Sequence, residues 1–132
     1  MFITQLSVFI ENKFGRLSEV LDVLAENGIN IRALSIAETS EFGILRMIVD
    51  DIEKAKQLLR ESGVIVKSTQ VIAAPLSDRP GGLAEIVNSL RDGGVTIEYL
   101  YAFLSRESDK AQVVLRVDDP QKACQILESR GK

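Results

Sequence analysis

Histidine is absent from this chain of 132 residues, and cysteine occurs only once. Without histidine the chain lacks the commonest general base and the commonest metal ligand, which argues against most hydrolase and zinc-enzyme functions. A single cysteine cannot form an internal disulfide, so the composition favours a reducing compartment. We therefore expect a cytoplasmic protein that is not an enzyme and that carries no metal and no cofactor.

Long apolar runs and an excess of basic residues are also missing. Charged residues interrupt every apolar stretch well before the roughly 20 residues that a membrane-spanning helix needs, and no signal peptide opens the chain. Sixteen Lys and Arg stand against nineteen Asp and Glu, whereas a nucleic-acid-binding surface is strongly basic. With 45% hydrophobic and 27% charged residues, the composition is typical of a soluble globular protein without nucleic-acid or membrane partners.

The chain contains an internal repeat. The four residues from Phe14 to Leu17 correspond to those from Pro80 to Leu83, at an offset of 66 positions. Toward the end of each copy the offset grows to 68, so the second copy has two extra residues, which we place in a turn between strands. The repeat predicts two domains, residues 1–68 and residues 69–132.

Each copy shows the pattern of a strand, a helix, two strands and a second helix. Apolar residues alternate from Ile3 to Ile10, as in a half-buried strand. Those from Leu17 to Leu24 are spaced as one apolar stripe of a helix, and the second copy repeats both patterns. Gly28 and Gly94 follow the first helix of each copy, where a left-handed residue ends a helix at no steric cost.

A fourth strand, from Val64 to Ser68, is predicted only in the first copy. This order indicates an α+β fold of two tandem ferredoxin-like βαββαβ units. Each antiparallel sheet should carry its helices on one face, and the second unit should lack its last strand. The edge left open in the second unit is expected to pair with a strand of another chain.

The turn between the first strand and the first helix carries the most specific pattern. It runs from Glu11 to Leu17 and from Ser77 to Leu83, each time with Asp or Asn, two residues, Gly, any residue and Leu. This pattern resembles the ACT domain signature, and the resemblance continues through Gly28–Ile31 and Gly94–Ile97. The whole chain is similar to small bacterial proteins with tandem ACT domains.

The resemblance implies a regulatory module that binds a small ligand, usually an amino acid, at an interface between ACT units. The regulated enzyme would then be a separate chain, and we expect a homodimer. The N–H groups at each helix start are expected to be unpaired, so that they can receive the ligand's carboxylate. Asn12 or Asp78 would accept a hydrogen bond from the ligand's ammonium group.

The second strand of a neighbouring unit would contact the ligand's side chain. The candidate ligand-binding residues are therefore Asn12, Phe14, Gly15, Arg16, Leu17, Asn30, Ile31, Asp78, Pro80, Gly81, Gly82, Leu83, Thr96 and Ile97.

Simpler interpretations of several residues remain open. Asn12 and Asp78 fit equally well as turn formers or helix caps, because Asx side chains bond to their own backbone. The aspartate pairs at 50–51 and 118–119 are better explained by helix capping than by a metal. The lone Cys124 is typical of a small buried residue on a helix face.

Tyr99, Tyr101 and Phe103 alternate, so they share one strand face, as core or interface packing or as an aromatic wall of a ligand site. The chain as a whole also fits a purely structural dimerisation protein without a ligand.

Overall fold

The computed structural model describes residues 2–11, 13, 15–38, 42–104 and 110–130. Within them the chain forms six strands and four helices. Their bounds are, in chain order, β1 (Phe2–Glu11), α1 (Arg16–Glu26), β2 (Ile31–Glu38), β3 (Phe42–Val49), α2 (Ile52–Glu61), β4 (Ile65–Ser77), α3 (Gly82–Asp92), β5 (Ile97–Ala102), β6 (Lys110–Val117) and α4 (Pro120–Arg130).

These elements form two compact units. The N-terminal unit is Thr4–Thr69, and the C-terminal unit consists of the residues from Gln70 onward together with Phe2 and Ile3. The 13 residues of β4 run from one unit into the other. The division of the sequence at residue 68 into two domains remains a prediction.

The N-terminal unit has the strand order β2-β3-β1-β4, with β3 antiparallel to both β1 and β2. Leu6 lies opposite Met47, and the alternate residues of both strands face the same side of the sheet. Both helices of the unit pack on this face: Val20 and Leu24 of α1, and Ala55 and Leu59 of α2, join the core built on Leu6.

The C-terminal unit repeats the arrangement with the order β4-β6-β5. Ile72 lies opposite Leu115, and both belong to a core that α3 and α4 cover with Ile86, Leu90 and Leu127. In the part of the chain that the structure describes, no strand follows α4. The predicted fold of two antiparallel ferredoxin-like units, the second without its last strand, is confirmed.

The edge expected to be open in the second unit is that of β4. Phe2 and Ile3, at the start of β1, cluster with the C-terminal unit, and β1 is a sheet neighbour of β4. These two residues can cover only part of the edge that runs from Gln70 to Ser77. Pairing of the rest of this edge with a strand from another chain stays a prediction.

Helix ends follow the expected local chemistry. Gly28 and Gly94 have φ of 73° and 80°, and each is followed by an N–H that donates back into the last turn of its helix. The carboxylates of Asp51 and Asp119 each accept a hydrogen bond, both 3.2 Å long, from the N–H three residues later, as N-caps do. None of the helices formed by the described residues is long and apolar enough to cross a membrane.

Candidate functional site

The two motif turns place a left-handed glycine at the start of α1 and of α3. Gly15 has φ of 81° and Gly81 has φ of 85°, and as glycines these N-cap residues have no side chain with which to cap the helix. The starts of α2 and α4, in contrast, are capped by Asp51 and Asp119. The N-cap residues of α2 and α4 are therefore carboxylates, whereas those of the two helices that follow the motif turns are glycines.

The first N–H of each of these helices is engaged within its own turn. The N–H of Arg16 donates to the carbonyl of Lys13 at 3.2 Å, and the N–H of Gly82 donates to that of Arg79 at 3.0 Å. The prediction that these two N–H groups are unpaired is wrong, because each turn closes with a bond across three residues. Among the described residues, no hydrogen bond is found for the N–H of Leu83.

The two turns differ at one position for a steric reason. A Cβ at Gly82 would lie 2.0 Å from the carbonyl oxygen of Ser77, so only glycine fits there. The first copy has Arg16 at this position. Its Nη1 atom is 2.8 Å from Glu19 Oε2, whereas its buried Nε atom has no hydrogen-bond partner among the described residues.

An ion-pair cluster lies beside the second turn. Arg79 Nη2 is 2.5 Å from Glu85 Oε1, and Arg79 Nη1 is 3.5 Å from the carbonyl oxygen of Pro80. Arg130 Nη2 lies 3.3 Å from the other carboxylate oxygen of Glu85. Sequence reasoning missed these residues, and the glutamate shared by the two repeats is the signal that could have found them.

The first turn carries a different pair. Lys13 Nζ is 2.8 Å from Glu11 Oε2, and this lysine holds the pKa of the Glu11 carboxyl below its usual value. In the second copy Ser77 stands in place of Glu11, so this anion is lost. The electrostatic surroundings of the two turns are therefore not the same.

The candidate residues before the second strand of each unit are held by aspartates. The N–H of Asn30 donates to Asp50 Oδ1 at 3.0 Å, and that of Thr96 donates to Asp118 Oδ1 at 2.9 Å. The side chains of Asn30 and Thr96 are exposed. These contacts and the two helix caps account for all four aspartates of the pairs at 50–51 and 118–119.

Ile31 and Ile97 follow directly and are only half-exposed. Each packs against the core of its own unit, which leaves part of the side chain at the surface.

The remaining candidates lie at the turns or outside the described residues. Asn12 and Phe14 are among the residues outside. Asp78 and Pro80 are exposed, and the N-cap position of α3 is occupied by Gly81. Leu83 is 39% exposed on the first turn of α3, whereas Leu17 packs partly against the N-terminal core.

Concave surface occurs elsewhere in the C-terminal unit. A groove of about 460 Å³ between α3 and α4 is lined by Ser89, Gln125, Ile126, Ser129 and Arg130. It does not include the glycine turn. Within the described ranges, no three His, Cys, Asp or Glu side chains are arranged to hold a metal ion.

The sequence matches the model of a known family over nearly its whole length. A family model described as an ACT domain pair matches residues 1–130. The chain belongs to this family, as the resemblance of its two turns predicts.

Solved structures are similar over the same length. The crystal structure of a protein from Bacteroides thetaiotaomicron is 41% identical, with a TM-score of 0.91, and the match covers 99% of this chain and 90% of that one. The regulatory subunit of aspartate kinase from Thermus thermophilus, in a ligand-free form, is 15% identical with a TM-score of 0.67. That match covers 98% of this chain and 94% of the subunit, and at this identity it shows the shared fold.

Proposed function

We propose that this chain is a regulatory module that binds a free amino acid at its glycine turns and transmits the binding to a separate enzyme. Membership in the ACT domain family implies such a module. The observation that carries the proposal is the contrast between helix starts: the N-caps of α2 and α4 are aspartates whose carboxylates accept a helix N–H, whereas the N-caps of α1 and α3 are left-handed glycines, which have no side chain.

The chemistry of the second turn suits a zwitterion. A helix start offers N–H donors and a partial positive charge to a carboxylate. Gly81 has open space where a Cβ would be, so a ligand can approach the backbone there. The carboxylate of Asp78, three residues before Gly81, is the proposed acceptor for the ammonium group. An amino acid carries both charges a short distance apart.

The proposal retains the candidate residues of both copies and a homodimer. The exposed side chains of Asn30 and Thr96, with the adjoining Ile31 and Ile97, are the proposed contacts for the ligand's own side chain. A neighbouring ACT unit would supply them, and a two-fold dimer is the commonest closed assembly.

Calorimetric titration and thermal shift with the twenty standard amino acids test the proposal. A ligand that binds only the folded state at 100 times its Kd adds about 2.7 kcal/mol to the free energy of unfolding, so it raises the Tm. The Asp78→Ala variant should bind the ligand more weakly, because it lacks the ammonium acceptor. The Gly81→Ala variant should also bind it more weakly, because a methyl group then stands where the ligand approaches.

Gly63 provides the matched control for Gly81. It has φ of 86°, it ends α2 away from both motif turns, and a Cβ there would also meet nothing within 4 Å. Gly63→Ala should therefore produce the same backbone strain as Gly81→Ala without changing ligand affinity. If the wild-type protein binds none of the twenty amino acids, the proposed function is wrong. A purely structural dimerisation protein is then the remaining interpretation.

A further inference from the structure

We infer that the sheet face of the N-terminal unit that points away from α1 and α2 is a dimer surface, occupied by the same face of a second copy of this chain. Its centre consists of four apolar side chains, Phe9, Phe42, Ile44 and Ile65, which we call the open-face patch. This surface goes beyond the proposed function, because two chains would associate through it whether or not a ligand is bound.

The open-face patch lies on the side of the sheet opposite the two helices. Its residues alternate along their strands with residues of the core that the helices cover, among them Val8, Leu45 and Val66. Because successive side chains of a strand point to opposite faces of the sheet, the patch faces away from α1 and α2.

The four side chains are neighbours across three strands. Phe9 of β1 lies directly opposite Ile44 of β3, and Phe42 lies on the diagonal, within reach of an aromatic side chain. Lys67 Nζ of β4 is 5.5 Å from the centroid of the Phe9 ring, and Ile65 lies two residues earlier on the same face of β4. The patch is therefore continuous from β3 through β1 to β4.

This apolar surface is open to solvent in the single chain. Ile65 is 63% exposed and Phe42 is 48% exposed, whereas Phe9 and Ile44 are half-buried. An antiparallel sheet that has its core on one face usually carries polar residues on the other. Adjoining apolar side chains that are exposed on such a face mark an interaction surface.

The internal repeat shows that the fold does not require these apolar residues. At the positions that correspond to Phe9, Phe42 and Ile44, the C-terminal unit has Pro75, Lys110 and Gln112. The register is the same, since Pro75 lies opposite Gln112 as Phe9 lies opposite Ile44. Both units build a core under their helices, but only the N-terminal unit has the open-face patch, so a need other than folding explains it.

The charges beside the patch favour a second copy as its occupant. Glu11 lies two residues after Phe9 on β1, and Arg46 lies two residues after Ile44 on β3. Because the two strands are antiparallel, the acidic and the basic residue flank this pair on opposite sides. A two-fold axis that crosses the strands at the pair therefore brings Glu11 of each copy toward the partner's Arg46, so the face is complementary to itself.

Sedimentation equilibrium of the full chain, without added ligand, tests this surface by exchanging its charges. The wild type should dimerise. Glu11→Lys and Arg46→Glu should each raise the Kd of the dimer by about tenfold or more, because each variant places like charges against each other twice. An equimolar mixture of the two variants should form a heterodimer with a Kd near that of the wild type, since both contacts then join opposite charges. This recovery also shows that the two variants are folded.

Ile65→Gln and Leu104→Gln form a matched pair that tests the apolar contribution. The two side chains are almost equally exposed, at 63% and 65%, but Leu104 belongs to the C-terminal unit and lies outside the patch. Ile65→Gln should raise the Kd of the dimer by about tenfold, because it replaces an apolar side chain at the interface. Leu104→Gln should leave the Kd unchanged.

Three results would overturn the inference. A wild-type protein that stays monomeric at every concentration excludes the second copy, together with the proposed homodimer, and leaves the open-face patch to a different protein. A dimer whose Kd is the same in the wild type and in Ile65→Gln has its interface elsewhere. Two weakened charge variants that form no heterodimer when mixed exclude the two-fold arrangement. The calorimetric titration with amino acids decides the ligand-binding function separately from all three.

Discussion

Asp118 and Thr96 are joined by two hydrogen bonds, although they are 22 residues apart in sequence. The N–H of Thr96 donates to Asp118 Oδ1 at 2.9 Å, and the N–H of Asp118 donates to the carbonyl of Thr96 at 3.1 Å. The first copy has the same reciprocal pair between Asn30 and Asp50, at 3.0 and 3.2 Å. The end of the third strand therefore fixes the residue before the second strand in each unit.

We expect Asp118→Ala to lower the free energy of unfolding by about 0.5–1.5 kcal/mol, because it removes the hydrogen bond to Thr96, whose exposed N–H is then solvated by water. Asp118→Asn keeps a side-chain oxygen at this position and should lose much less. Urea denaturation of the two variants measures the difference. If both variants unfold at the same urea concentration, the bond to Thr96 does not stabilise the fold.

Gly82 and Gly93 lie at opposite ends of α3 and differ in what a methyl group would meet. At Gly82 it would lie 2.0 Å from the backbone oxygen of Ser77, whereas at Gly93 it would lie 2.3 Å from Ile126 Cδ1, the far end of a flexible side chain. We expect Gly82→Ala to lower the free energy of unfolding by about 1–3 kcal/mol or more, since the backbone must shift. Gly93→Ala should have a smaller effect, because Ile126 can change rotamer. Equal melting temperatures for the two variants would contradict this explanation.

Local features of the fold could be predicted from the sequence because they depend on residues near one another. The helix-terminating role of Gly28 and Gly94 follows from their position after an apolar stripe, and the caps Asp51 and Asp119 follow from residue type. The alternation of apolar residues predicts which face of each strand meets the helices. Each of these patterns spans only a few residues.

Features that depend on distant or turn-specific contacts could not be predicted. The pairing of Arg79 with Glu85 depends on how the turn folds over the helix start, and the link from Arg130 to Glu85 spans 45 positions. The sequence predicts an unpaired N–H at Gly82, whereas in the structure this N–H donates to the carbonyl of Arg79. The pattern of residue types does not reveal how the turn closes. The role of Ile3 in the C-terminal unit was missed for the same reason.

The first residues of the chain should stabilise the C-terminal unit. Phe2 and Ile3 belong to this unit and open β1, the sheet neighbour of β4. Starting the chain at Thr4 removes main-chain hydrogen bonds worth about 1 kcal/mol each. Hydrogen exchange should therefore become faster at the amides of residues 70–77. The amides of β2, at the far edge of the N-terminal unit, serve as the control and should keep their protection. Unchanged exchange at residues 70–77 would show that Phe2 and Ile3 do not protect this part of β4.

Cys124 should be a poorly reactive thiol in the folded protein. Burial raises the pKa of this thiol above its usual value, and the carboxylate of Glu128 raises it further. Since the folded pKa exceeds the unfolded one, the neutral thiol contributes stability below the unfolded pKa, and this contribution is lost as the pH rises through the folded pKa. A thiol-specific chromogenic reagent at pH 8 should therefore react slowly with the folded protein and rapidly after denaturation in urea, which serves as the control. Equal rates in the two states would show that burial does not protect the side chain, which is 7% exposed.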